Sequence, residues 1–181
     1  MSSTGARSVV ATLSELGVEV TFGLPGVHTL ELWDALGESD IAVVGVRHEQ
    51  AAGHAADGFA RATGDLGVAL VTTGPGAANT VTAMGEALAS ASAVLLITTE
   101  VPTDLRTPGT VRGSLHEMAD QRALFRPVTK ATFGVDHPAA IAGVLRRAAR
   151  AALSPQSGPV YVGIPADLLH RDPAVPGSGA R

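Results

Sequence analysis

Val46-Arg47-His48-Glu49-Gln50-Ala51-Ala52-Gly53-His54-Ala55-Ala56-Asp57-Gly58-Phe59-Ala60-Arg61 is the stretch whose reading decides the fold. The apolar run that leads into it, residues 41–46, has the pattern of a short buried strand. Beyond it Ala51, Ala52, Ala55, Ala56 and Ala60 form a narrow small-residue stripe at helical spacing, suited to close contact with another helix. One carboxylate, Glu49, stands where strand gives way to helix. A first-turn acid gains only ~0.3–1 kcal/mol from the helix dipole, and that is the plain structural reading of Glu49. Two more apolar strands, residues 67–71 and 93–97, open in the same way into Thr72-Thr73-Gly74-Pro75-Gly76-Ala77-Ala78-Asn79 and Thr98-Thr99-Glu100. In an open parallel sheet, ligands bind at such strand ends.

Working outward, residues 8–16 read as a helix stopped by Gly17, and residues 18–22 as a strand opening into Gly23-Leu24-Pro25-Gly26-Val27-His28. Residues 29–36 read as a second helix, capped by Thr29 and stopped by Gly37. A helix is expected over 79–88, then a long connection over 101–125, a strand over 128–135, an amphipathic helix over 138–153 and a last strand over 159–164. Repeated strand-turn-helix units imply an α/β domain with a mostly parallel central sheet flanked by helices, occupying residues 1–170. Residues 171–181, rich in Pro, Gly and Ser, are expected to be a linker-like or disordered tail.

The 181 residues suffice for one domain with a sizeable core. A net charge of −4 and scattered basic residues predict no nucleic-acid or anionic-membrane partner, with Arg146, Arg147 and Arg150 on a solvated helix face. There is no cysteine, which excludes a disulfide scaffold and a thiolate metal site. No signal-like core or membrane-length apolar run occurs, so the expected location is the cytoplasm. His28, His48 and His54 lack the grouping of a zinc site. His48 is expected to point away from Glu49, and His54 to pack or lie at an interface.

Several motifs occur in one order: Phe-Gly-Leu-Pro-Gly at 22–26, Arg-His-Glu-Gln-Ala-Ala at 47–52, Ala-Asp-Gly-Phe-Ala-Arg-Ala at 56–62, Thr-Gly-Pro-Gly at 73–76 with Asn79, Arg-Pro-Val-Thr-Lys at 126–130, Gly-Pro-Val at 158–160 and Ile-Pro-Ala-Asp at 164–167. Together they resemble the N-terminal, pyrimidine-binding domain of thiamine-diphosphate enzymes of the acetolactate synthase and benzaldehyde lyase type. The resemblance implies that Glu49 hydrogen-bonds N1′ of the cofactor's aminopyrimidine and so promotes loss of the thiazolium C2 proton. It implies that Pro25 and Gly26 lie against the cofactor and that Thr73, Gly74 and Asn79 line the pyrimidine side of its pocket. It places Val27 and His28 near the reacting carbon, His28 as a proton relay, and His116 and Gln121 on an active-site loop facing the substrate. Glu49, His28 and His116 are thus the expected catalytic set. Each has a bland alternative as a turn, cap or packing residue, and Gln121 one as a residue that fixes the loop.

The resemblance also implies what this sequence lacks. The family holds diphosphate and Mg²⁺ with a Gly-Asp-Gly motif followed by Asn, and none follows Ile164. The expected protein is therefore the α-type subunit of a split decarboxylase or carboligase acting on a 2-oxo acid or acyloin. A separate diphosphate-binding subunit would complete it as a heterodimer or heterotetramer, docking on the Ala-rich Glu49 helix. Chain ends lying close to the first helix and last strand support the split reading. The alternatives are an excised N-terminal domain of a longer synthase and a non-catalytic interaction module. His28 and His116 tilt the expected chemistry toward decarboxylation or benzaldehyde lyase-like reactions.

Overall fold

A computed structural model describes residues 4–106 and 109–173. In chain order the elements are α1 (Gly5–Glu15), β1 (Val20–Gly23), α2 (Leu30–Gly37), β2 (Ala42–Gly45), α3 (Glu49–Thr63), β3 (Gly67–Val71), α4 (Pro75–Ala78), α5 (Val81–Ala89), β4 (Val94–Glu100), α6 (Gln121–Phe125), β5 (Ala131–Gly134), α7 (Ile141–Leu153), β6 (Val160–Pro165) and α8 (Ala166–His170). The six strands form one sheet in the order β2-β1-β3-β4-β6-β5, every neighbouring pair parallel. The chain is an α/β domain with helices on both faces of the sheet, as the strand-turn-helix repeat predicts. β3, β4 and β6 are buried along their whole length, and the stretches 67–71, 94–97 and 160–162 accordingly read as apolar runs; Thr98, Thr99 and Glu100, expected to form a turn after a strand over 93–97, instead continue β4 as buried polar positions.

Two cores fill the layers. On one face α1 and α7 close over Val9, Leu13, Leu70, Leu95, Ile97 and Leu145, each of these fully or almost fully buried. Full burial of one such side chain contributes about 1.5–3 kcal/mol. On the other face α3 and α5 lie close, with Ala52, Ala56, Ala83 and Met84 at the contact and Phe125 stacked on Tyr161 at a 4.5 Å ring separation. A Cβ on Gly53 would stand 2.6 Å from that of Ala83, and one on Gly67 2.0 Å from the Ala56 carbonyl oxygen. The small residues therefore let α3 approach both α5 and β3. Much of the small-residue stripe, Ala52, Ala56 and Ala60, is thereby covered within the chain. What α3 offers outward is Ala51, His54 and Gly58, then Arg61, Ala62 and Thr63 in its last turn.

Other expectations shift. The run at 41–46 is not a buried strand: β2 is an edge strand, exposed at all four positions, because only β1 pairs with it. Thr29 does not cap a helix through its side chain; a 3₁₀ turn at Val27–Thr29 comes first, and the hydroxyl closes the Pro-Gly turn. It accepts from the Gly26 N–H at 2.9 Å and from Trp33 Nε1 at 3.1 Å. The helix expected over 79–88 is α5, and a short helix that was not expected, α4, precedes it because Pro75 starts a helical turn that ends where the Thr80 hydroxyl donates back to the Ala77 carbonyl. The strand expected over 128–135 shortens to β5, since residues 126–128 form a 3₁₀ turn. Of the expected tail, Arg171 pairs with Asp167 and its carbonyl accepts from Gly5, while residues 174–181 lie outside the described residues. Among the described residues no helix is long and apolar enough to cross a membrane.

Candidate active site

The strand order turns back between β1 and β3, and at that reversal two glycine-bearing turns leave the carboxyl ends of the strands. Such a switch point forms a crevice for a ligand. The β1 turn carries Pro25 and Gly26; the β3 turn carries Thr72, Thr73, Gly74 and Gly76. The two approach closely: a Cβ on Gly26 would lie 2.6 Å from Thr72 Cβ, and one on Gly76 2.6 Å from Thr72 Cγ2. Side chains larger than hydrogen do not fit at either glycine without moving Thr72, so bare backbone faces the crevice.

Glu49 enters this crevice as the first residue of α3. His48 is the N-cap, its Nδ1 accepting from Gln50 N–H at 3.2 Å, which turns its ring to the helix end rather than toward Glu49. The Glu49 carboxylate is half-buried. Its Oε2 accepts from Asn79 Nδ2 at 2.8 Å, and its Oε1 lies against the bare face of Gly76, 3.2 Å from where a Cβ would be and next after Thr72 Cγ2 in closeness. Asn79 reaches it because it occupies the joint between α4 and α5. One carboxylate oxygen is thus held and the other is presented.

Beside this pair lies a second cluster. His28 Nδ1 is 2.8 Å from Thr73 Oγ1, and Thr73 Oγ1 donates to Thr99 Oγ1 at 2.8 Å. With its single proton directed to Thr99, the Thr73 hydroxyl accepts from His28, which places the neutral ring's proton on Nδ1 and the lone pair on Nε2. The His116 ring stands edge-on to His28 at 6.0 Å, its backbone in the left-handed region with φ +60°. Burial lowers the His28 pKa below its ordinary value, and the neighbouring His116 lowers it further. At neutral pH His28 is therefore an uncharged acceptor.

This shift carries a stability consequence. A histidine whose folded-state pKa is depressed contributes fully above its unfolded value of about 6.5 and loses that contribution as pH falls through the folded-state value. Acidifying from pH 7 to 5 is expected to lower the melting temperature of the wild type more than that of His28→Asn. Calorimetric scans at the two pH values check this, and equal falls would assign the acid sensitivity elsewhere.

The resemblance assigns Pro25, Gly26, Glu49, Thr73, Gly74 and Asn79 to the cofactor and Val27, His28, His116 and Gln121 to the substrate; in the structure Glu49 and Asn79 meet beside Gly76, while Thr73 and Gly74 contact His28 and His116 instead. Pro25 is exposed and Val27 is 63 % exposed. Gln121 does not face a substrate: it is buried, with its amide fully bonded to Gly74, Thr98, Thr99 and Tyr161. The reading that it fixes the loop is the one the geometry supports. Thr72 was missed in favour of Thr73. Its hydroxyl is buried between Gly26 and Gly76 with no hydrogen-bond partner in the protein. An unmet buried hydroxyl costs about 1–3 kcal/mol, so a ligand group that bonds it recovers that free energy. Thr72, the free Glu49 oxygen and the bare glycine backbone fit a flat heteroaromatic group carrying both donors and acceptors.

Comparison with known proteins agrees with this geometry. The family described as "Thiamine pyrophosphate enzyme, N-terminal TPP binding domain" matches residues 3–124. A probable acetolactate synthase large subunit of Methanocaldococcus jannaschii is 41% identical over 91% of this chain and 27% of its own length. A probable 2-ketoarginine decarboxylase of Pseudomonas aeruginosa is 40% identical over 92% of this chain and 29% of its own length. The acetolactate synthase isozyme 3 large subunit of Escherichia coli is 41% identical over 92% and 28%. This chain spans less than a third of the length of each of these relatives. The chain belongs to the thiamine pyrophosphate enzymes, as their N-terminal, pyrimidine-binding domain.

Proposed function

We propose that this chain is the pyrimidine-binding half of a thiamine-diphosphate-dependent enzyme that acts on a 2-oxo acid or acyloin. The observation that carries the proposal is the Glu49 carboxylate, one oxygen held by Asn79 and the other open toward Gly76, beside the unpartnered Thr72 hydroxyl. Glu49, Thr72 and the backbone of Gly26 and Gly76 would hold the aminopyrimidine. Bound there, thiamine diphosphate supplies the electron sink that stabilises a carbanion after decarboxylation or carbon–carbon cleavage. This chain's own share is proton handling and exclusion of water. Glu49 shares a proton with a ring nitrogen. His28, neutral and with its Nε2 lone pair free, takes or returns a proton at the substrate side. His116 shields that face and sets the charge felt by His28.

The 2-oxo acid class rests on these two imidazoles and on the name of the Pseudomonas relative, a decarboxylase of such an acid. Diphosphate and Mg²⁺ are assigned to a partner domain, docking on the outward face of α3 and held either by a separate subunit or by the remainder of a longer chain. The short span of the relatives' length suits both arrangements. The test is calorimetric titration of thiamine diphosphate and Mg²⁺ into the chain alone and into the chain mixed with a diphosphate-binding domain. The expected result is binding only in the mixture. Neither association nor binding with any such domain would leave a non-catalytic interaction module.

A further inference from the structure

Gln121 opens α6 at 6 % exposure, and both ends of its side-chain amide meet main-chain groups that no substitution can change. Its Oε1 accepts from the Gly74 N–H at 2.6 Å, and its Nε2 donates to the Thr99 carbonyl at 2.9 Å. Nε2 also reaches Tyr161 Oη at 2.9 Å and Thr98 Oγ1 at 3.1 Å. Only a side chain with an acceptor and a donor at this length satisfies both backbone groups. A carboxylate would set an oxygen against the Thr99 carbonyl, and a methionine would fill the space and bond neither.

Behind Gln121 the string continues inward. Burial, and then the neighbouring Glu100, push the Tyr161 phenol above its ordinary pKa, so it stays protonated and donates to Glu100 Oε1 at 3.0 Å. The other Glu100 oxygen is paired with Arg106. Glu100 fits because residue 163 is glycine: a Cβ there would lie 1.9 Å from Oε1. In front of Gln121, two parts of the histidine cluster converge on Gly74. The His116 carbonyl oxygen lies 2.1 Å from where a Gly74 Cβ would stand, and Thr73, the preceding residue, bonds His28.

We propose that Gln121 is a positioning residue for the face that carries His28 and His116: it clamps the Gly74 N–H to the buried Tyr161–Glu100–Arg106 string, so that the two imidazoles meet at one fixed separation. The catalytic consequence rests on the function proposed above, whereas the clamp is a property of this chain alone.

The test is NMR of the chain without cofactor, following Gly74 amide exchange and the ring titrations of His28 and His116 in the wild type, Gln121→Met and Tyr161→Phe. Gln121→Met is expected to speed Gly74 exchange by about tenfold or more and to move the His28 titration up toward its ordinary value as water enters. Tyr161→Phe keeps the bond to Gly74 and is expected to change that exchange by less than about threefold. In the assembled enzyme Gln121→Met should lower kcat for a 2-oxo acid more than it raises KM. A folded Gln121→Met with unaltered Gly74 exchange and unaltered histidine titrations would overturn the proposal and leave Gln121 as packing. Should Gln121→Met not fold, Gln121→Asn takes its place, because it adds no charge and is one methylene too short to bond both the Gly74 N–H and the Thr99 carbonyl; unaltered Gly74 exchange and unmoved histidine titrations in that variant would equally overturn it. Absence of thiamine-diphosphate binding in the assembled enzyme would instead refute the proposed function and leave the NMR result standing.

Discussion

Glu49→Gln is expected to lower turnover of the assembled enzyme by about 10²- to 10⁴-fold, the usual worth of a positioned proton-transfer group. The fold should barely register the change. Glutamine keeps the length and shape of the side chain, and its carbonyl oxygen still accepts from Asn79 Nδ2, now 2.8 Å from the carboxylate. What disappears is the first-turn charge at the start of α3, worth ~0.3–1 kcal/mol. For a chain of this size that lowers the melting temperature by roughly 1–4 °C. The amide's other end donates where the carboxylate accepted, so it cannot take a share of a ring proton. Turnover measured by product formation, with cofactor uptake measured by calorimetry, separates the roles. Full turnover would remove Glu49 from the mechanism, and joint loss of uptake and turnover would make it a binding group rather than an acid–base one.

The central strands were legible because burial on both faces leaves an apolar stretch in each of β3, β4 and β6; the buried polar end of β4, Thr98, Thr99 and Glu100, lacks that signature and reads as the turn beyond the strand. Hydropathy says that a run is apolar and not whether another layer covers it. Residues 41–46 were accordingly read as buried, and they form the exposed edge strand β2. Glu49 was legible from its place at a strand-to-helix junction, and His28, Thr73 and Asn79 from the motifs around them. The bonds that organise these residues were not. Gly74 and Gln121 are 47 positions apart, and Gln121 and Tyr161 are 40. Which of two adjacent threonines faces the crevice depends on how closely the turns of β1 and β3 pack. The only local sign was that Gly26 and Gly76 crowd a single side chain, and that becomes visible only once the turns are superposed in space.

Gly74→Ala is expected to be the most disruptive small substitution in the site, and comparison with Gly64→Ala isolates the reason. Both glycines have positive φ, +62° at Gly74 and +81° at Gly64. The left-handed conformation of Gly64 costs a residue with a Cβ about 1–2 kcal/mol, and Gly74, at ψ −114°, lies outside that region in one that only glycine adopts freely, so the strain there is at least as large. At Gly64, the left-handed cap of α3, a Cβ would meet nothing within 4 Å, so this strain is the whole effect. At Gly74 the added carbon would sit 2.1 Å from the His116 carbonyl oxygen, a main-chain atom that yields only if the segment carrying it moves. Overpacking of this kind adds about 1–3 kcal/mol. The sum, about 2–5 kcal/mol, lowers the melting temperature by roughly 4–20 °C, against roughly 2–8 °C for Gly64→Ala. Because His116 must retreat from His28, Gly74→Ala should also raise the His28 pKa toward its ordinary value, whereas Gly64→Ala leaves it unchanged. Calorimetry and histidine titration by NMR read the two effects independently. Equal losses of stability in the two variants, with His28 unmoved, would show that the His116 segment does not bear on Gly74 and that the two imidazoles are placed by other contacts.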